Sequence, residues 1–191
     1  MNKNIILTIL IICALISLNT VPQVFASEGA KVLVHKVKDI DGNDVDLSEY
    51  KGKVLMIINV ASRCGLTPQY NDLVAIHKKY RDKGFEILAF PANNFMGQEP
   101  GTNKEIKKFC TTNFNVEFKM FSKISVKGDD IAPLYKQLTS KEENGSFGGD
   151  IRWNFDKFIV GKNGSVIARF APGVKPISDE VISTIEKELS K

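Results

Sequence analysis

The segment Val54-Leu55-Met56-Ile57-Ile58-Asn59-Val60 is an almost unbroken apolar run. Such a run is typical of a strand that is buried on both faces of a sheet. After it, apolar and aromatic residues recur at helical spacing from Tyr70 to Tyr80, Gly84 is a helix stop signal, and a second apolar run extends from Phe85 to Phe90. Strand, helix and strand in this order predict a parallel βαβ unit with a right-handed crossover.

Two hairpins are predicted, one on each side of this unit. The first joins Val32 to Lys38 with Val45 to Leu47 through an Asp-Gly or Gly-Asn turn. The second joins Phe155 to Val160 with Val166 to Phe170 through an Asn-Gly turn. Both turns have the residue types that two-residue hairpin loops prefer.

Three further helices are predicted. Thr102 to Glu105 has the sequence of a capping box and begins a helix that carries Cys110. A short helix is predicted from Ile131 to Leu138, and Ser178 is predicted to cap a final helix with an acidic first turn. The order ββ, βαβ, α, ββ, α predicts an α/β protein with a thioredoxin-like fold. Its central mixed sheet would be flanked by helices, with an N-terminal hairpin and an inserted helix.

Residues 1–26 have the pattern of a secretory signal peptide. An apolar run extends from Ile5 to Leu18, and Val24-Phe25-Ala26 places small residues where a peptidase would cut after Ala26. We therefore expect export, to a periplasm or along a secretory route, and a single domain over residues 27–191. A membrane anchor is the alternative, which the short run disfavours because a span needs about 20 residues.

The rest of the composition excludes some functions and leaves others open. The net charge is only +4 and the basic residues are interspersed, so nucleic-acid binding is not expected. His35 and His77 lie far apart in sequence, so we expect no metal site, and no cofactor is indicated. Without the signal peptide two cysteines remain, Cys64 and Cys110, and in an exported protein this count alone favours a structural disulfide.

Cys64 lies four residues beyond the first buried strand and just before a helix. Functional sites of α/β sheets form at this carboxyl end of the strands. Helix N-terminal N–H groups and the positive charge of Arg63 are expected to favour the thiolate, which is the nucleophilic form of cysteine. Thioredoxins carry a second cysteine three residues on, but Thr67 stands there, which disfavours a simple dithiol exchanger.

Three motifs resemble the signatures of glutathione peroxidases. Asn59 to Thr67 (NVASRCGLT) resembles the active-site signature, and Phe90 to Gly101 (FPANNFMGQEPG) resembles the second signature. Trp153 to Phe155 (WNF), before a strand that ends at Lys162-Asn163-Gly164, resembles the third. The motifs follow the order and spacing of that family, and the resemblance extends from about Val32 to the C-terminus.

The resemblance implies roles for individual residues. Cys64 would be the peroxidatic residue, at the position where many animal members carry selenocysteine. Gln98, Trp153 and Asn154 would complete the catalytic tetrad of the family. The Gln98 amide and the Trp153 indole are hydrogen-bond donors, so they could stabilise both the thiolate and the oxygen that is expelled.

Cys110 resembles the helix cysteine of plant-type and many microbial members, which prefer thioredoxin. The implied cycle passes from a Cys64 sulfenic acid to a Cys64–Cys110 disulfide, which a thioredoxin-like protein reduces, with glutathione as the other possible reductant. The two cysteines are expected on separate helices, so a disulfide can form only if they approach each other. We therefore expect the Cys110 helix to unwind locally. The short segment from Tyr135 to Trp153 resembles that of monomeric members, whose open site would admit hydrogen peroxide and lipid hydroperoxides.

Two other functions remain possible from the residues alone. The chain could be an exported domain with a permanent structural disulfide, whose redox potential would lie below about −300 mV. It could also be a periplasmic thiol–disulfide exchanger, which an insulin-reduction assay would detect.

Overall fold

The structure is a computed structural model that describes residues 32–191, so the predicted signal peptide lies outside the described residues. The strands are β1 (Lys36–Lys38), β2 (Asp44–Asp46), β3 (Val54–Val60), β4 (Phe85–Pro91), β5 (Lys119–Met120), β6 (Lys157–Val160) and β7 (Val166–Phe170). The helices are α1 (Gln69–Tyr80), α2 (Asn103–Phe114), α3 (Pro133–Thr139), α4 (Lys141–Asn144) and α5 (Asp179–Leu189). Short 3-10 segments cover Val32–Val34, Leu47–Tyr50, Arg81–Lys83 and Gly145–Phe147.

The central sheet has the strand order β5-β4-β3-β6-β7. β3 pairs in parallel with β4 and antiparallel with β6, so the sheet is mixed. The predicted βαβ unit is confirmed, with α1 as its crossover helix. β1 and β2 form a separate antiparallel hairpin, and α2 is the inserted helix.

The core explains why β3 is so apolar. Met56 and Ile58 pack into a cluster on one face of the sheet, together with residues of α1, α2 and α5. Leu55 and Ile57 pack into a second cluster on the other face, together with residues of α3 and the N-terminal segment. Because successive side chains of a strand point to opposite faces, a strand covered on both sides must be apolar throughout.

Several predicted boundaries differ from the structure. The first strand begins at Lys36, because Val32–Val34 forms a 3-10 turn. The third motif does not begin a strand at Phe155, whose φ of 69° is left-handed, and β6 starts at Lys157. Ser178 occupies the N-cap position of α5, but its side chain makes no capping hydrogen bond.

The predicted capping box of α2 is confirmed. The Thr102 hydroxyl accepts a hydrogen bond from the Glu105 N–H, and the Glu105 carboxylate accepts one from the Thr102 N–H at 2.7 Å. No helix within residues 32–191 is long and apolar enough to cross a membrane.

Candidate active site

Cys64 lies in the turn between β3 and α1, and only 8% of its surface is exposed. Its Sγ accepts a hydrogen bond from the Leu66 N–H at 3.4 Å. α1 begins only at Gln69, so the group that reaches the sulfur belongs to the turn before the helix. A backbone donor that is fixed in this way stabilises negative charge on the sulfur.

Thr67 closes this turn. The Cys64 N–H donates to Thr67 Oγ1 at 3.0 Å, and the same hydroxyl donates to the Ala61 carbonyl at 2.9 Å. The position at which a thioredoxin has its second cysteine is therefore occupied by a hydroxyl that fixes the backbone around Cys64.

Gln98 and Asn154 are brought together although they lie far apart in sequence. The Asn154 Nδ2 donates to the Gln98 Oε1 at 2.9 Å, and Asn154 is fully buried. Because this bond engages the amide oxygen, the NH₂ group of Gln98 is the part that can donate to a third group. The Gln98 carbonyl accepts from the Arg63 N–H at 3.0 Å, which attaches the Gln98 loop to the Cys64 turn.

Trp153 is half-buried and packs against Phe95, with 5.2 Å between the ring centroids. Its carbonyl accepts a hydrogen bond from Asn59 Nδ2 at 3.0 Å. The Asn59 carbonyl accepts from the Phe155 N–H at 2.6 Å, and Asn59 Oδ1 accepts from the Asp156 N–H at 3.2 Å. Asn59 thus fixes the turn that carries Trp153 and Asn154.

Asn59 was missed as a site residue in the sequence analysis. It is fully buried in β3, where every other residue is apolar. A buried amide needs hydrogen-bond partners, so a single polar residue inside an apolar strand was the available signal. Its partners could not be predicted because they lie about a hundred residues further along the chain.

A tight turn precedes Gln98. The Gln98 N–H donates to the Phe95 carbonyl at 3.1 Å, and the two residues between them, Met96 and Gly97, have φ values of 53° and 62°. Two successive left-handed residues are the mark of a type I′ turn, which prefers Asn-Gly or Gly-Gly. Met96 is therefore in an unfavourable conformation, and its side chain is 82% exposed.

Cys110 is in a very different environment. It is fully buried on α2, next to the Tyr70 hydroxyl but outside regular hydrogen-bond geometry. Burial raises the pKa of the Cys110 thiol to about 11, and the neighbouring Tyr70 acts in the opposite direction. Cys64 and Cys110 are both free thiols in this structure.

A buried carboxyl group, also missed in the sequence analysis, lies between these two regions. Glu99 is 1% exposed and accepts a hydrogen bond from the Ser62 hydroxyl at 3.0 Å. Burial raises the pKa of Glu99, and the hydrogen bond from Ser62 opposes this shift. A cavity of about 440 Å³ lies beside it and is lined by residues that include Arg63 from the Cys64 turn and Phe109 from α2.

Each of the two histidines lies next to an oxygen of another side chain. His35 Nε2 lies 2.6 Å from Gln137 Oε1, and His77 Nε2 lies 2.8 Å from a carboxylate oxygen of Glu86. In the part of the chain that the structure describes, no group of three or more His, Cys, Asp or Glu side chains is arranged to hold a metal ion.

Comparison with known proteins decides the family. The family model described as "Glutathione peroxidase" matches residues 32–139, which is more than half of the chain. The chain belongs to the glutathione peroxidase family. It is therefore an enzyme of the peroxidase class of oxidoreductases. The matched residues include Cys64, Gln98 and Cys110 and end before Trp153.

Relatives and solved structures agree with this family. The chain is 52% identical over 167 residues to "Probable phospholipid hydroperoxide glutathione peroxidase 6, mitochondrial" of Arabidopsis thaliana, which covers 87% of this chain and 69% of that protein. It is 36% identical to the solved structure of Trgpx in its apo form, with a TM-score of 0.68 and coverage of 85% of this chain and 97% of that one.

The fold prediction is also confirmed. A thiol:disulfide interchange protein of the thioredoxin family from Chlorobium tepidum TLS superposes with a TM-score of 0.60, covering 84% of this chain and 97% of that one. Since only 16% of the residues are identical, this likeness concerns the fold alone. The glutathione peroxidase family member thus has the thioredoxin-like fold that its order of elements predicts.

Proposed function

We propose that this protein reduces hydrogen peroxide and organic or lipid hydroperoxides to water and alcohols, with Cys64 as the peroxidatic residue. The observation that carries the proposal is the hydrogen bond from Asn154 to Gln98, because it orients an amide donor in the loop attached to the Cys64 turn. The name of the Arabidopsis relative, a phospholipid hydroperoxide glutathione peroxidase, supports a lipid hydroperoxide as one substrate.

The oxidation step follows from these groups. The Cys64 thiolate attacks one oxygen of the peroxide, the O–O bond breaks, and the sulfur becomes a sulfenic acid. The other oxygen leaves with the electron pair of the broken bond and takes up a proton, as water or an alcohol. The Gln98 NH₂ group and the Trp153 indole N–H are the donors proposed to stabilise the charge that develops on this oxygen.

Resolution is proposed to use Cys110. Its thiol attacks the Cys64 sulfur, water leaves, and a Cys64–Cys110 disulfide forms, which a thioredoxin-like protein then reduces; glutathione is the other candidate reductant. A disulfide needs Cα atoms within about 7 Å of each other. Because Cys110 is fully buried, we propose that part of α2 opens locally before this step.

We also propose that residues 1–26 direct export to a periplasm or a secretory route and are removed, leaving residues 27–191 as a single monomeric domain. The apolar run before Ala26 supports removal of the signal, and the short segment between Tyr135 and Trp153 supports the monomer. Intact-mass analysis of protein from its own host should find Ser27 at the N-terminus. Retention of residues 1–26 would favour a membrane anchor.

The test compares single-cysteine variants with both reductants. Cys64→Ser should abolish peroxidase turnover, because an alcohol is scarcely ionised at neutral pH and forms no sulfenic acid. Cys110→Ser should still form one sulfenic acid per chain, trapped with dimedone, yet lose turnover with thioredoxin. If Cys64→Ser kept more than a tenth of the activity, Cys64 would not be the peroxidatic residue.

A further inference from the structure

Lys157, the first residue of β6, is a buried charged side chain that the proposed cycle does not use. None of its surface is exposed. Its Nζ donates hydrogen bonds to three backbone carbonyls: that of Phe155 at 2.5 Å, that of Pro172 at 3.3 Å and that of Ala171 at 3.4 Å. A buried ammonium without such partners would be strongly destabilising, so these carbonyls are its solvation shell.

The number of donors matches the number of acceptors. A protonated lysine has three N–H groups, one for each of the three carbonyls. A neutral amine has two N–H groups and a lone pair, so one carbonyl would face a lone pair instead of a proton. The neighbouring carboxylate of Asp156 is engaged elsewhere, since it accepts from Arg152 at 2.7 Å and from Arg169 at 2.9 Å.

These carbonyls belong to two segments, the turn that carries Asn154 and the loop that follows β7. Phe155 directly follows Asn154, and its left-handed φ of 69° makes the turn that presents Asn154 to Gln98. The Pro172 carbonyl also accepts from Gln69 Nε2 at 2.8 Å, and Gln69 is the first residue of α1, the helix after the Cys64 turn. The ammonium therefore joins the Asn154 turn to a loop that is held by α1.

We propose that Lys157 is a positioning residue of the peroxidase, whose protonated side chain fixes the Asn154 turn and, through the bond from Asn154, the orientation of the Gln98 amide. The proposal rests on the roles of Cys64, Gln98 and Asn154 given above. In this proposal Lys157 acts through its bond to the Phe155 carbonyl and not by contact with the peroxide or the sulfur.

The protonation state of Lys157 should then control the rate of Cys64 oxidation. Burial lowers the pKa of Lys157 to about 8; Asp156 raises it and Arg152 lowers it further. Its partners in the neighbouring strands, Ile58 of β3 and Phe170 of β7, are apolar. As the pH rises through about 8 the ammonium loses a proton, one carbonyl loses its donor, and the Asn154 turn is held less firmly.

The test is stopped-flow oxidation of Cys64 by hydrogen peroxide from pH 6.5 to 9.5, followed by the fluorescence of Trp153, the only tryptophan of the chain. Wild type is compared with Lys157→Met. The ratio of the two rates is taken at each pH, so that any pH dependence common to both proteins cancels. We expect this ratio to fall from about 10 at pH 7 to a lower plateau above pH 9, because the neutral amine loses one preorganising contact but keeps two N–H groups.

Two controls separate positioning from general stability. Lys162→Met removes another lysine that donates to a backbone carbonyl, that of Leu189 at 3.0 Å at the end of α5, and its ratio to wild type should stay constant with pH. Lys157→Arg keeps its charge throughout the range, so the ratio of its rate to that of Lys157→Met should not fall between pH 7 and pH 9.5. Thermal unfolding of each variant shows whether it is folded under the conditions used.

Several results would overturn the proposal. A wild-type to Lys157→Met ratio that does not change with pH would reduce Lys157 to a structural residue. If Lys157→Met did not fold, Lys157→Arg would serve instead. An oxidation rate of Lys157→Arg that fell at alkaline pH with the same midpoint as in wild type would also reduce Lys157 to a structural residue. A wild type whose Cys64 is not oxidised by peroxide, as shown by dimedone trapping, would instead contradict the proposed peroxidase function itself.

Discussion

The two cysteines are both buried and both free, but their surroundings prepare them for different tasks. Cys64 lies in the turn after β3 with 8% of its surface exposed, and its sulfur accepts a backbone N–H bond. The Cys110 sulfur lies inside the core against Tyr70, where burial holds it as a thiol with a pKa of about 11. The comparison shows that the fold gives one sulfur a backbone hydrogen-bond donor and holds the other as a buried, protonated thiol.

The backbone around each sulfur differs in the same way. The Cys64 region depends on long-range hydrogen bonds that Asn59 and Asn154 donate and that Gln98 accepts, which keep several loops in fixed positions. The end of α2 depends mainly on local bonds: the Cys110 carbonyl accepts from the Asn115 and Val116 N–H groups, and Thr111 donates back to Lys107. Local bonds of this kind can break without disturbing the sheet, so the Cys110 side is suited to opening.

The largest expected effect concerns the two hydrogen-bond donors proposed to assist Cys64. Gln98→Ala and Trp153→Phe should each slow oxidation of Cys64 by roughly 10- to 1000-fold, because each removes one donor fixed in advance for the charge that develops. Stopped-flow oxidation rates give the result. The same variants should leave burial of Cys110 unchanged, which alkylation of the reduced protein can check. Wild-type rates in both variants would show that these donors do not act on Cys64.

A second prediction concerns Cys110 and pH. Its pKa is raised from 9.0 to about 11, so the folded state holds this proton more tightly than the unfolded state. The stabilisation is fully present below pH 9 and is lost as the pH rises toward 11. Relative to Cys110→Ala, wild type should lose about 2 kcal/mol of unfolding free energy between pH 8.5 and 11. Denaturant unfolding at several pH values measures it, and parallel curves for the two proteins would contradict burial of a protonated Cys110.

The smallest expected effect tests whether the backbone is strained at Met96, in the turn before Gln98. Met96→Gly should raise the free energy of unfolding by about 1 kcal/mol, because glycine adopts the left-handed conformation without a Cβ clash. Asn115, with φ of 54°, is the matched control: asparagine tolerates this conformation at a helix end, so Asn115→Gly should change stability little. Equal effects at both positions would show that the turn before Gln98 is not strained.

Much of this architecture could be predicted from the sequence, because its signals are local. The apolar run at Val54–Val60 predicts a strand covered on both faces, and the Thr102 to Glu105 pattern predicts the start of α2. Cys64 and Gln98 could be proposed as site residues because long motifs surround them. Each of these predictions depends on neighbours within a few residues.

The remaining features depend on contacts between distant parts of the chain. Lys157 lies in a segment that reads as an ordinary strand, and its burial requires carbonyls from two loops. The left-handed Phe155 arises because Asn59, on another strand, binds its N–H. No local pattern carries this information, since the partners come together only when β3 and β6 pair.

The most direct test of the difference between the two sulfurs is a single-turnover experiment that follows Trp153 fluorescence after mixing with peroxide. We predict two phases in wild type: a first whose rate is proportional to peroxide concentration, from oxidation of Cys64 in place, and a slower second that is independent of peroxide, from opening of α2 and formation of the disulfide. Cys110→Ser should keep the first phase unchanged and lose the second. A second phase that persists in Cys110→Ser, or a disulfide that forms as fast as Cys64 is oxidised at every peroxide concentration, would contradict the account.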